Sequence, residues 1–189
     1  MTMDQQLFQR LASELKVKVQ TAFWPVLHTL SPEFEKVIED TCILSGGCFA
    51  SLHHGVQVND YDLWCKDAID MKLIQEHLDD FKGKHHATGI EFAVENEKYN
   101  NNFIEGKIVT ARATTLINRL QFIKDVKFSD AKKSFDYIHC AVSYDIKRDK
   151  LYISPAQMNS IEQKKLVVNN AQAIAEYRKN KFIERGWKE

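Results

Sequence analysis

The sequence has no surplus charge of either sign: 26 Lys and Arg stand against 26 Asp and Glu, with seven His taken as neutral. A dedicated duplex-DNA binder is usually basic overall, so that class of partner is not expected, although a local basic face stays open. The four cysteines, Cys42, Cys48, Cys65 and Cys140, include no C-x-x-C pair. This spacing speaks against a zinc site, and free thiols in a reducing compartment are expected in place of a disulfide framework. No apolar run reaches the roughly eighteen residues of a membrane span. The charged, amphipathic start MTMDQQLFQRLASELKVKV lacks the apolar stretch of a secretory signal. A cytoplasmic protein without a membrane partner is the expectation. No internal repeat or low-complexity linker divides the 189 residues, which suit one domain with a real core.

What is present alternates between helix and strand signals. Leu7, Leu11, Leu15 and Val19 recur four apart and predict a helix over 4–22. Ser31 followed by Pro32 and two early acids predicts a second helix over 32–41. A short buried strand at 42–45 then runs into Gly46 and Gly47, with a short helix at 47–54. VQVNDYDLWC predicts a strand at 56–65. DAIDMKLIQEHLDDF predicts a helix at 67–81 with Ile69, Leu73 and Leu78 inward, and GIEFAVEN a strand at 89–96. The polar, Asn-rich 97–107 reads as a loop. Strand-like runs follow at 107–117, 119–124 and 134–145, with a last short strand after a turn at 147–150, and helices fill the chain from Pro155. The expected class is α/β or α+β: a mixed sheet flanked by helices. Residues 1–154 would form the main domain and 155–189 a helical tail packed on it.

Asp60 and Asp62 are the chemical question. Alternate residues of a strand share a face, so both carboxylates would point the same way, about 7 Å apart, while Tyr61 and Leu63 face a core. Two like charges on one face repel unless a cation lies between them. Mg²⁺ accepts such carboxylates together with phosphate oxygens. Upstream, Gly46 and Gly47 lack side chains and let backbone amides approach a polyphosphate, with Ser45 and Ser51 as further donors.

The segment LSGGCFASLHHGVQVNDYDLW, with twelve residues between Gly47 and Asp60, resembles the signature of the polymerase-beta-like nucleotidyltransferase superfamily. That signature is an apolar residue, Gly-Gly or Gly-Ser, a spacer, and Asp-apolar-Asp-apolar. The likeness covers about 32–145. Together with LQFI, FDYIHC and the ending RKNKFIERGW, it further resembles small bacteriophage-encoded members, which implies the host cytoplasm as the location. The resemblance implies a third carboxylate on a neighbouring strand, for which Asp136 in FDY matches, with Asp145 as the alternative. It implies Mg²⁺ or Mn²⁺ held by Asp60, Asp62 and Asp136, an NTP substrate over Ser45, Gly46, Gly47, Cys48 and Ser51, and NMP transfer to an acceptor hydroxyl. RNA, a tRNA end, a protein and a small molecule all stand as acceptors. Members of the family often carry Ser or Thr where this chain has Cys48, and a larger helical domain where it has a short tail. An alternative function follows: the fold kept as a nucleotide-binding or interaction module with weak or no catalysis. A counter-defence enzyme of the same chemistry is a third reading.

Other chemistry-bearing residues carry less. Neighbouring histidines at 53–54 and 85–86 cannot both face one ion easily, and His139 and Cys140 read as a packed ring and a buried thiol. Arg178, Lys179, Lys181 and Arg185 lie on a helix with Tyr177, Phe182 and Trp187. That helix is either an amphipathic element docked by its aromatics or a cationic wall for a triphosphate or RNA backbone.

Overall fold

Hydrophobic spacing and two well-made caps set the helical frame. The computed structural model describes residues 3–85, 103–104, 107–108, 113–117, 119–123 and 127–189. Helix α1 (Gln5–Leu27) buries Leu11, Leu15, Val19, Phe23 and Leu27, one residue every fourth position. The stripe thus begins one step later than the sequence suggests: Leu7 stays 37% exposed, and Phe23 and Leu27 extend the helix through Pro25. Each fully buried side chain of this kind contributes about 1.5–3 kcal/mol. Helix α2 (Pro32–Thr41) starts as expected, with the Ser31 hydroxyl accepting from Phe34 N and Pro32 at the first position.

Strand β1 (Cys42–Ser45), short helix α3 (Cys48–His53), strand β2 (Tyr61–Cys65) and helix α4 (Ala68–His85) follow. Strand β2 is shorter than its sequence suggests, and Asp60 lies just before it. On α4 the inward residues are Ile74 and Leu78, whereas Ile69 is 73% and Leu73 39% exposed. The expected strand at 89–96 lies outside the described residues. Two-residue strands β3 (Phe103–Ile104), inside the expected loop, and β4 (Lys107–Ile108), at the start of the strand expected at 107–117, pair antiparallel. Strands β5 (Ala113–Ile117) and β6 (Leu120–Ile123) form an antiparallel pair joined through Arg119 at φ 72°.

The run at 134–145 is not one strand. It bends at Asp136, makes a 3-10 turn at Ile138–Ala141, and only then forms β7 (Ser143–Asp145), which pairs with β8 (Lys150–Tyr152). Helix α5 (Phe128–Ala131) precedes it. A capping box at Ser154 and Gln157 opens α6 (Pro155–Glu162), and α7 (Glu176–Glu184) follows a 3-10 turn.

The main sheet runs β5-β6-β2-β1-β7-β8. All its neighbours are antiparallel except β2 and β6, which pair in parallel with Asp62 opposite Gln121 and Trp64 opposite Ile123. A parallel neighbour demands a crossover, and α4 lies on that connection. Registers place Leu44, Leu63, Phe122 and Tyr144 side by side, all fully buried. They face α1, where Phe23 meets Tyr61 at 5.4 Å and Tyr61 Oη donates to Ala22 O. By alternation, Asp62, Trp64, Gln121 and Ile123 share the other face. Among the described residues, no helix is long and apolar enough to cross a membrane.

Candidate active site

The face carrying Asp62 and Gln121 floors a cavity of about 550 Å³, also lined by Gly46, Gly47, Cys48, Ser51, Asp60 and Asp136, with Arg178, Lys181 and Arg185 from the C-terminal part of the chain. Gly46 is the hinge of this floor. It follows β1 directly, at φ +119°, and a Cβ there would lie 3.1 Å from Asp62 Cγ and closer still to Asp62 Oδ2. The carboxylate of Asp62 fills the space that any other residue at 46 would need. Gly47 caps α3 at φ −74°, and a Cβ there would meet nothing within 4 Å.

Asp60 is exposed and Asp62 partly buried. Between them stands Gln121, whose inner amide atom lies 2.7 Å from Asp62 Oδ1 and 3.0 Å from Asp60 Oδ2; with nitrogen inward it donates to both carboxylates. Nothing in the sequence singles out this glutamine. The signal is the parallel register, which sets it opposite Asp62.

Burial, then the charge of Asp60, pushes the Asp62 carboxyl up to about 7, against the pull of Arg178 and Lys181. The Gln121 amide, which favours the charged form, works in the same direction as those cations. The folded state therefore holds a proton on Asp62 that the unfolded chain has released, so this group's contribution to stability is lost as pH rises through its folded pKa. In metal-free buffer, Tm should fall as pH rises from about 4 to about 7 and level off above that, and Asp62→Asn should flatten that slope. Thermal melts across the range check it. An unchanged slope in the variant would mean that another group carries it.

Asp136 lines the same cavity but is not held as a free ligand. Its 3% exposed carboxylate accepts from Arg178 Nε at 2.5 Å and Nη2 at 3.2 Å, and from Tyr137 N at 3.0 Å. Its carbonyl accepts from Asn169 N and Asn170 N, which ties this bend to the segment before α7. Among the described residues, no three His, Cys, Asp or Glu side chains form a metal-holding group. Asp145 is absent from the cavity: it sits on β7 beside Lys66 and Arg148. Ser45, expected as a phosphate donor, is buried beneath the floor, where its hydroxyl donates to Val142 O at 2.7 Å. Cys48 lies at the cavity, its thiol pKa raised well above normal by burial and then by Asp62 and Asp60, which disfavours the nucleophilic thiolate.

The donor set nonetheless fits one hard divalent cation: two carboxylates, an amide beside both, and a glycine that makes room for Asp62.

The tail supplies the cationic wall and the aromatic packing together. Phe182 and Trp187 close on His139, which stacks on Trp187 with ring centroids 4.0 Å apart and meets Phe182 edge-on at 4.9 Å. Among the described residues neither buried ring nitrogen of His139 has a hydrogen-bond partner, and burial drops its pKa to about 3. It packs as a neutral ring. His53 pairs with Glu162 and His54 with Ile161 O, so those two serve the α3–α6 contact and do not share an ion.

A solved structure agrees with this fold. The Thermotoga maritima CCA-adding enzyme complexed with tRNA superposes with a TM-score of 0.50 over 87% of this chain and 41% of its own, at 10% identity. A tRNA nucleotidyltransferase complexed with a primer tRNA and an incoming ATP analog matches at 13% identity and TM-score 0.42, over 69% of this chain and 36% of its own. The fold assignment, a nucleotidyltransferase-like mixed sheet flanked by helices, rests on the first. This chain spans less than half the length of either. Comparison with curated proteins returned no match. A sequence profile described as Gabija anti-defense 2 family protein matches residues 14–164.

Proposed function

The chain belongs to the Gabija anti-defense 2 family, and from there we propose that it is a metal-dependent nucleotidyltransferase that moves an NMP from an NTP to an acceptor hydroxyl: the hydroxyl oxygen bonds to the α-phosphorus, the bond to the β-phosphate breaks, pyrophosphate leaves and the hydroxyl proton passes to solvent. In this reading a bacteriophage-encoded protein acts in the host cytoplasm, and the transfer disables a component of the Gabija defense. The observation that carries the reading is the fit of Asp62 into the space left by Gly46, beside Asp60, on the floor of a cavity with cations opposite.

Asp60 and Asp62 would hold Mg²⁺ or Mn²⁺, which would supply positive charge to the triphosphate and to the oxygens that gain negative charge in the transition state. The chain's own groups do the rest. The Gly46-Gly47 turn lets the phosphates approach the backbone. Lys181 and Arg185, both exposed on the cavity wall, draw the triphosphate in and orient it. Asp136 keeps the Arg178 guanidinium aimed along the wall by two hydrogen bonds. Trp64, Ile123 and Phe135 form an apolar side suited to a base. RNA, protein and small molecules all stand as acceptors.

The test is incubation of the protein with each α-labelled NTP, Mn²⁺ and a cell extract. Label is expected in one class of molecule and is expected to drop to background with Asp60→Ala plus Asp62→Ala. Label that persists in that variant overturns the reading. The alternative is a nucleotide-binding or interaction module without transfer. It is favoured by Cys48 where Ser or Thr is common, by the short tail, and by Arg178 engaging Asp136, the expected third acid. NTP binding without label in any acceptor would support it.

A further inference from the structure

Gln121 has a second role in reach. Its inner amide atom sits within 3.0 Å of an oxygen of each of the two carboxylates, 2.7 Å from Asp62 Oδ1 and 3.0 Å from Asp60 Oδ2. Nitrogen at that point satisfies both carboxylates and leaves the carbonyl to accept from donors on its outer side. Oxygen at that point brings three acceptors together, an arrangement only a cation reconciles. The two orientations differ by a half-turn of the terminal amide, a soft torsion with a roughly two-fold profile.

We propose that Gln121 is the third oxygen ligand of a single divalent cation bound with Asp60 and Asp62, its amide turning from nitrogen-inward to oxygen-inward as the ion enters. Before that, the amide holds the two carboxylates in place and offsets their repulsion. The inference rests on the reading of Asp60 and Asp62 as cation ligands and adds the ligand that completes them. Charge supports the count of one. Two carboxylates and a neutral carbonyl carry −2, which one divalent ion cancels. A third carboxylate, the feature that favours a second ion, is not in this set, because Asp136 is engaged by Arg178. Amide carbonyls are ordinary oxygen ligands for hard cations, and the remaining positions fall to water or the NTP phosphates.

The experiment measures Mn²⁺ binding directly, by electron paramagnetic resonance of the free ion, on the intact chain without substrate. The wild type is expected to bind one Mn²⁺ per chain. Gln121→Met, of similar length and without the carbonyl, should weaken binding about tenfold or more. Gln121→Asn keeps the amide, shortens its reach by one methylene and should weaken binding likewise, which covers the case in which the methionine variant does not fold. Gln121→Glu should retain or tighten it. Unchanged affinity in both Gln121→Met and Gln121→Asn overturns this proposal, even if Asp60→Asn with Asp62→Asn abolishes binding. Binding that survives the aspartate substitutions, or no Mn²⁺ bound by the wild type, overturns the cation reading itself. Two ions per wild-type chain overturn the single-ion site.

Discussion

Gly46→Ala is expected to destabilise the protein by roughly 2–4 kcal/mol and to abolish both Mn²⁺ binding and transfer, whereas Gly47→Ala beside it changes stability by less than about 1 kcal/mol. The two glycines look alike in sequence and differ entirely in surroundings. At 46 the backbone sits at φ +119°, where an L side chain is strained, and the new methyl would occupy the position of the Asp62 carboxylate. Backbone at the end of β1 and the carboxylate on β2 cannot both stay, because β1 and β2 are locked by antiparallel pairing from Cys42 opposite Cys65 to Leu44 opposite Leu63. At 47, φ is −74° and the methyl enters open space. Urea denaturation of the two variants, with Mn²⁺ titration of each, checks the contrast. Equal stabilities would remove Gly46 from the centre of the site.

Arg178→Met is expected to cost about 3–5 kcal/mol. The guanidinium is the principal partner of a carboxylate that is 3% exposed, and removing it leaves Asp136 buried with the Tyr137 N–H and the Cys140 thiol, both uncharged. Water does not reach that oxygen easily, so the loss exceeds what an exposed pair of the same geometry would show. Adding Asp136→Asn to Arg178→Met should recover part of the stability, since no charge is then stranded. Arg178→Lys should fall between, retaining the charge and losing the two-pronged bond. Denaturation midpoints of these variants decide the matter. A double variant no more stable than Arg178→Met would show that the cost lies in packing.

Helix starts and the glycine-to-aspartate segment were readable because their information is local. Ser31 with Pro32 and Ser154 with Gln157 cap within one turn, and β1 came out at the expected 42–45. The sequence leaves the inner stripe of α4 ambiguous because Ile69, Leu73, Ile74 and Leu78 supply two overlapping helical faces, and the packing of the surrounding elements alone chooses between them. The run at 134–145 is rich in aromatic and apolar residues and looks like one strand. It bends because Asp136 is held from three sides, by Arg178, Tyr137 N and the amides of Asn169 and Asn170. Those partners are up to 42 residues away. The same reason hid Gln121. A lone amide in a strand carries no signal until a parallel neighbour, reached through a long crossover, puts it opposite Asp62. Ser45 fails as a phosphate donor for an equally remote cause, a carbonyl 97 positions on that takes its hydroxyl.

The His139–Trp187 stack gives the molecule an optical gauge of its own. Trp187 is 7% exposed and lies against an imidazole, a neighbour that alters indole emission. Helix α7 has no side-chain cap at its start and spans nine residues, so it stays helical only while docked. Its departure from the cavity wall would therefore change the emission of Trp187, so the undocking of this helix can be followed without an added label.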